Sequence, residues 1–174
     1  SHPEWLKQLW SNPNTESPRL EASSQGLSET LWDATNTSRP EDLRPEWREH
    51  MLKTVLDFQT SVSVIIPNWN RSKTVLRAID TALQQTLEPL EILVADDGSE
   101  DDSIEAIQNR FPAALNNSKV KILPANHIGV SATRNRAMEA AKGEWFAYLD
   151  SDNAWHSDHL LVLFYSALEH PTKP

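Results

Sequence analysis

Cysteine is absent from the 174 residues, so neither a disulfide nor a thiolate metal site can form. Glycine is scarce, with four copies, and none builds a Gly-rich loop near the first predicted strand. Basic residues number 16 against 25 acidic ones. The resulting formal charge of -9 argues against nucleic acid as a partner, because neutralising phosphates needs clustered Lys and Arg. An anionic ligand would need local help from a cation or from helix N-termini. No apolar run approaches the roughly 20 residues of a membrane span, and the polar N-terminus has no signal-peptide core. The length suits one sizeable core plus an appended segment, since domains commonly hold about 100–150 residues.

Composition changes near residue 60. The first sixty residues hold four of the seven Trp (Trp5, Trp10, Trp32, Trp47) and five of the eleven Pro (Pro3, Pro13, Pro18, Pro40, Pro45). That proline density restricts helices to short pieces, the clearest at about 46–58, where Trp47, Met51, Val55 and Phe58 recur at near-helical spacing behind Pro45. Residues 1–60 thus read as a Trp-rich helical or irregular extension, its Trp side chains packing on the chain's own second half or docking a partner.

From residue 61 strands and helices alternate. Val62–Ile66, Glu91–Ala95, Val120–Leu123 and Glu144–Leu149 read as strands; helices are predicted over 72–85, after Asp102 with Ile104, Ile107 and Phe111 inward, over 130–141, and through the apolar run Leu160–Phe164. Ser99, three residues before Asp102, suggests a variant capping box. Repeated βα units of this length demand a largely parallel sheet flanked by helices. Three polar or acidic clusters each follow a strand: Asn68-Trp69-Asn70, Asp96-Asp97-Gly98-Ser99 and Asp150-Ser151-Asp152. In an open α/β sheet, ligands bind beyond the carboxyl ends of the strands, so these clusters should meet in one crevice.

The residue types suggest the chemistry. Asp150 and Asp152, two apart in an extended segment, would point the same way with Cα atoms roughly 6.5 Å apart. Both could address a hard cation such as Mg²⁺ or Mn²⁺, which takes few protein carboxylates and completes its shell with phosphate and water. Taken singly, the triplet is common and also reads as a cap beside a solvated Asp. Asp96-Asp97 likewise reads as capping, although two adjacent Asp exceed what a cap needs, leaving one to accept from a base N–H or a ribose hydroxyl. Trp69 could stack on a base, and the planar fork of Arg134 could meet a diphosphate. A core or solvated role remains open for each. His156 and His159 could join a metal site, with a surface or helix-terminal role as the alternative.

Val62-Ser63-Val64-Ile65-Ile66-Pro67-Asn68-Trp69-Asn70-Arg71 resembles the opening strand of family 2 glycosyltransferases, inverting enzymes with the GT-A fold. Further matches follow in order: Gln85-Thr86, Val94-Ala95-Asp96-Asp97-Gly98-Ser99, Asn126 with Gly129, Ala132-Thr133-Arg134-Asn135, Ala141-Lys142-Gly143-Glu144-Trp145 and Leu149-Asp150-Ser151-Asp152-Asn153. The ordered set covers about residues 61–165. Trp69 stands where Tyr or Phe is usual, Asn68 where Thr or Ser is common, Asn153 in place of a frequent third Asp, and Ser157 in place of Pro.

The resemblance implies a GT-A nucleotide-sugar-binding domain over 61–174 and a donor site for a nucleotide-diphospho-sugar, a UDP-sugar favoured over GDP- or dTDP-sugars, with Mn²⁺ or Mg²⁺. It places Pro67, Trp69 and Asp97 around base and ribose, Arg134 near the diphosphate, and Asp150 and Asp152 at the metal and sugar-ribose end, Asp152 as the direct ligand; Asn70, Asp96 and Ser151 complete the set. It also implies that the acceptor site, for a saccharide or a lipid-linked acceptor, and the general base lie in a C-terminal half outside this chain. The site is then cytoplasmic, peripheral to the inner face of the membrane. A non-catalytic sugar-nucleotide-binding or protein interaction module is the alternative. A nucleotidyltransferase would prefer a Gly-rich basic loop that the chain lacks.

Overall fold

The computed structural model describes residues 45–169, so Trp5, Trp10, Trp32 and the first four prolines of the N-terminal extension lie outside the described residues. The elements are α1 (Pro45–Asp57), β1 (Val62–Asn68), α2 (Val75–Leu83), β2 (Glu91–Asp96), α3 (Ser103–Arg110), α4 (Pro112–Asn116), β3 (Val120–Pro124), α5 (Val130–Ala140), β4 (Trp145–Tyr148) and α6 (His159–Glu169). The four strands form one parallel sheet in the order β3-β2-β1-β4. The chain builds outward from β1 to β3, then returns to β1's other side. The order therefore reverses between β1 and β4, where such a sheet opens a crevice at its carboxyl edge.

Two apolar layers hold the sheet. On one face Val62, Val64 and Ile66 of β1, Ile92 and Val94 of β2, and Ala147 pack with α1, α2, α3 and α6 through Met51, Val55, Ile79, Ile107, Leu160, Leu161 and Phe164. The other face is thinner: Ile65 and Ala95 meet Ala137 of α5, with Leu123 and Met138 beside them. The helix predicted over 46–58 thus forms, and its Met51 and Val55 lie in the main core. Arg48 of α1 reaches the buried Asp158 through two guanidinium nitrogens, Nε at 3.0 Å and Nη2 at 2.8 Å.

Three local expectations are corrected. The Ser99–Asp102 capping box does not form, because Ser99 turns back to β1, donating to Asp96 and accepting from the Asn70 amide. Asp101 serves instead: its carboxylate accepts from the Ser103 amide and hydroxyl and, across the loop, from the Ser72 amide. Burial pushes that carboxyl up, but these donors outweigh it and lower its pKa from 3.8 to about 2. Residues 150–153 are not extended but turned, with the Asn153 amide donating to the Asp150 carbonyl at 2.9 Å. A short helix, α4, also follows Pro112 where none was expected.

Candidate active site

Pro67 shapes the crevice. Asp97 N donates to Asn68 O and Leu149 N to Ile65 O, so even-numbered residues here face β2 and odd-numbered ones face β4. Pro67 faces the β4 side and has no N–H, so it cannot extend that ladder, and strand pairing with β4 stops at Ile65–Tyr148. Beyond that point the two chains part, and a cavity of about 340 Å³ opens between them. Its walls come from three strand ends: Pro67 and Asn68 at the end of β1 with Trp69 and Arg71 after it, Asp97 after β2, and Asp150, Ser151 and Asp152 after β4. The loop before α5 and that helix's first turn close it with His127, Gly129, Val130 and Thr133.

The two strand-end aspartates after β2 have separate tasks. Asp96 is buried and takes hydrogen bonds from Asn68 Nδ2 (2.9 Å), Ser99 N (2.9 Å) and Ser99 Oγ (2.6 Å), which folds the loop against β1. Asp97 faces the cavity, yet its carboxylate accepts from the amides of Ile128 (2.6 Å) and Gly129 (3.0 Å) and from Thr133 Oγ1 (2.9 Å). It thereby occupies the positive N-terminal end of α5. Burial raises the Asp97 pKa, but those three donors and the adjacent His127 reverse the sign and hold it below the usual carboxylate range. Gly98 makes this closeness possible. At φ +76° it adopts a left-handed conformation, and a Cβ there would lie 2.9 Å from His127 N and 3.1 Å from Ala125 O.

The turn after β4 carries the remaining carboxylates. Asp150 and Asp152 are 53% and 55% exposed at the side chain. Arg134 Nη2 donates to Asp150 at 2.7 Å, and Arg71 Nε lies 3.9 Å from Asp152. Each of these carboxylates is thus met by a guanidinium group, which makes this side of the cavity polar and offsets its negative charge. On the same cavity Trp69 is 50% exposed, its ring stacked on His127 with centroids 4.6 Å apart. Among the described residues no group of three or more His, Cys, Asp or Glu is placed to hold a metal. Asp150 and Asp152 are two carboxylates in one cavity, which fits an ion that takes one or two protein ligands and fills its shell with phosphate and water.

Of the residues singled out in the sequence, Pro67, Trp69, Asp97, Arg134, Asp150, Ser151 and Asp152 converge: all but Arg134 line the cavity, and Arg134 reaches it through Asp150. Asn70 and Asp96 do not line it. At φ +52° the Asn70 side chain accepts from the amides of Glu100 and Asp101 and so holds the β2–α3 loop. His156 and His159 lie elsewhere; His159 stacks on Trp155 and burial lowers its pKa. Arg71, His127 and Thr133 are wall residues with no assigned role in the sequence reading. Arg71 was within reach, being the one cation of the Val62–Arg71 motif, whereas His127 falls between the matched Asn126 and Gly129 at a position the pattern does not mark.

The geometry agrees with three comparisons. The chain is 33% identical over 97 residues to chondroitin synthase of Escherichia coli, a match covering 56% of this chain and 14% of that protein. It is 35% identical over 95 residues to a UDP-Glc:alpha-D-GlcNAc-diphosphoundecaprenol beta-1,3-glucosyltransferase of Escherichia coli, covering 54% of this chain and 36% of the relative. The crystal structure of S. aureus TarS 1-349 in complex with UDP superposes with a TM-score of 0.54 at 27% identity, over 64% of this chain and 33% of that one. The chain therefore spans only a minor part of the proteins it matches. The family model for glycosyl transferase family 2 matches residues 63–173, well over half of the sequence and the whole of the cavity, and the chain belongs to that family.

Proposed function

We propose that residues 61–174 form the donor-binding domain of a glycosyltransferase, with residues 1–60 as an extension, and that the cavity holds a nucleotide-diphospho-sugar whose sugar passes to a saccharide or lipid-linked acceptor. The observation that carries this is the convergence of the half-exposed Trp69 and the Asp150–Asp152 turn on one cavity, at the point where the strand order reverses. Trp69, backed by His127, offers ring surface for the base. Asp97 spends its carboxylate on the loop at 128–129 and so shapes the wall beside the base. Arg134 and Arg71 present guanidinium groups to the diphosphate, the fork geometry that oxyanions favour.

Asp152, with Asp150 beside it, would hold Mn²⁺ or Mg²⁺. When bound, that ion supplies Lewis-acid stabilisation of the charge on the departing nucleoside diphosphate. Asp150 would exchange its contact with Arg134 for the ion's water or the ribose, freeing the guanidinium for phosphate oxygens. No described residue is assigned as the base that takes the acceptor's proton. A UDP-sugar is favoured as donor because the TarS structure contains UDP and the name of the glucosyltransferase relative specifies UDP-Glc. The same reading has the domain working in the cytoplasm, at the inner face of a membrane; no helix among the described residues is long and apolar enough to cross one.

Calorimetric titration with UDP, GDP, dTDP and CDP, with and without Mn²⁺, tests the proposal. Binding of UDP that needs Mn²⁺ and disappears in Asp152→Ala supports it. Binding of none of the four, or binding indifferent to both metal and substitution, refutes it.

A further inference from the structure

The segment bearing the cavity's two exposed carboxylates has little structure of its own. Between Asp150 and His159 its internal backbone bonds among the described residues are the Asn153–Asp150 turn and the His159–His156 turn. Its shape is instead imposed from α2. Arg77 Nη2 donates to the Asp152 carbonyl at 2.8 Å. Thr81 Oγ1, four residues on, accepts from the Trp155 amide at 3.2 Å. Gln85, four further and just past the end of α2, donates through Nε2 to the His156 carbonyl at 2.7 Å and accepts from the Leu160 amide at 2.9 Å. Thr86 continues the grip, its amide donating to the Ser157 carbonyl at 2.7 Å.

The spacing explains the pattern. Residues four apart lie on one helical face, so a single row of polar side chains meets successive backbone groups of a chain running beside it. That row is otherwise an anomaly, because α2 packs the core through Val75, Ala78, Ile79 and Ala82 and has no need of a buried amide at Gln85. None of Arg77, Thr81 and Gln85 lines the cavity.

We propose that Arg77, Thr81 and Gln85 are positioning residues that fix where Asp150 and Asp152 stand, and so set the affinity of the site for a divalent cation with a nucleoside diphosphate. This rests on the donor-site reading above. A pair of carboxylates serves one ion only when each is held within about 0.5 Å of its place. Removing partners that orient metal ligands characteristically weakens binding about 10- to 100-fold.

The test uses the 174-residue chain with UDP plus Mn²⁺ as one probe and UMP without metal as the other. Arg77→Ala and Thr81→Val should each weaken UDP binding in Mn²⁺ by about 10- to 100-fold and leave UMP binding unchanged, with faster hydrogen exchange at the Asn153 amide of the turn in the first and at the Trp155 amide in the second. Thr81→Ser, which keeps the hydroxyl, should behave as wild type. The proposal is overturned if the amides loosen while UDP affinity holds, or if UMP and UDP weaken equally, which would mark a merely structural role. Failure of the wild type to bind UDP with Mn²⁺ would instead strike the donor-site reading itself.

Discussion

Arg48→Ala should destabilise this protein, because among the described residues α1 is fastened to the rest of the fold by the charged Arg48–Asp158 contact as well as by its apolar face. Asp158 is only 1% exposed, and Arg48 provides both of its guanidinium contacts, with Thr86 Oγ1 as a further donor. Breaking a fully buried pair by removing one member costs about 3–5 kcal/mol, since the remaining charge is stranded. Arg48 is itself 37% exposed, so water enters the gap and the expected loss falls to about 2–3 kcal/mol. At about 4 °C per kcal/mol for a domain of this size, the melting temperature should drop by about 8–12 °C. Arg48→Lys, which keeps the charge but loses the fork, should fall between. Calorimetric melting with parallel urea titration measures both. A drop of less than about 2 °C in Arg48→Ala would refute the reasoning and leave the attachment of α1 to its apolar and ring contacts.

Trp69→Ala should weaken UDP binding about 5- to 150-fold, the equivalent of about 1–3 kcal/mol of base stacking, while Trp69→Phe keeps most of it; calorimetry decides, and an unaltered Ala variant would move the base elsewhere. Gly98→Ala adds a Cβ 2.9 Å from His127 N at a φ of +76°, so the loop over Asp97 must shift. A loss of about 1–3 kcal/mol by urea titration is expected, together with weakened UDP binding. The carboxyls of Glu91, Asp97 and Asp101 all have depressed pKa values in the fold. Each contributes stability that is present above its ordinary pKa and is lost as pH falls through the folded value. Stability should therefore decline on acidification, and Asp101→Asn should flatten the part of the decline between 3.8 and about 2; an unchanged slope would contradict the assignment.

Much of this fold follows from periodicity, and the exceptions have physical causes. Val64–Ile66 and Ile92–Ala95 are continuous apolar runs because both faces of a central strand are covered, and that is visible in a sequence, whereas the buried Ser63–Glu91 hydrogen bond beside them is not. β4 is half-exposed at Phe146 and Tyr148 because α5 covers β1 and β2 more than the sheet edge, and its four residues are shorter than the run suggested. The site was legible to the extent that strand ends were: Pro67, Trp69, Asp97 and the 150–152 turn all reach the cavity. Asn70 and Asp96 stand off the cavity wall, which no pattern signals, because a sequence shows which residue ends or follows a strand but not which neighbour claims its side chain. Here the claimants are the loop amides of Glu100 and Asp101 for Asn70, and Asn68 with Ser99 for Asp96. The Ser99 hydroxyl is likewise claimed by Asn68, Asn70 and Asp96, and the first amide of α3, that of Ser103, turns to the Asp101 carboxylate.

Backbone amide shift mapping on the 174-residue chain with UDP and Mg²⁺ tests the donor cavity most directly. Perturbed amides should concentrate at 68–71, 127–134 and 150–153, and Asp152→Asn should remove those at 150–153. Perturbations centred elsewhere, such as the outer edge of β3, or none at saturating UDP, would contradict the donor-site reading.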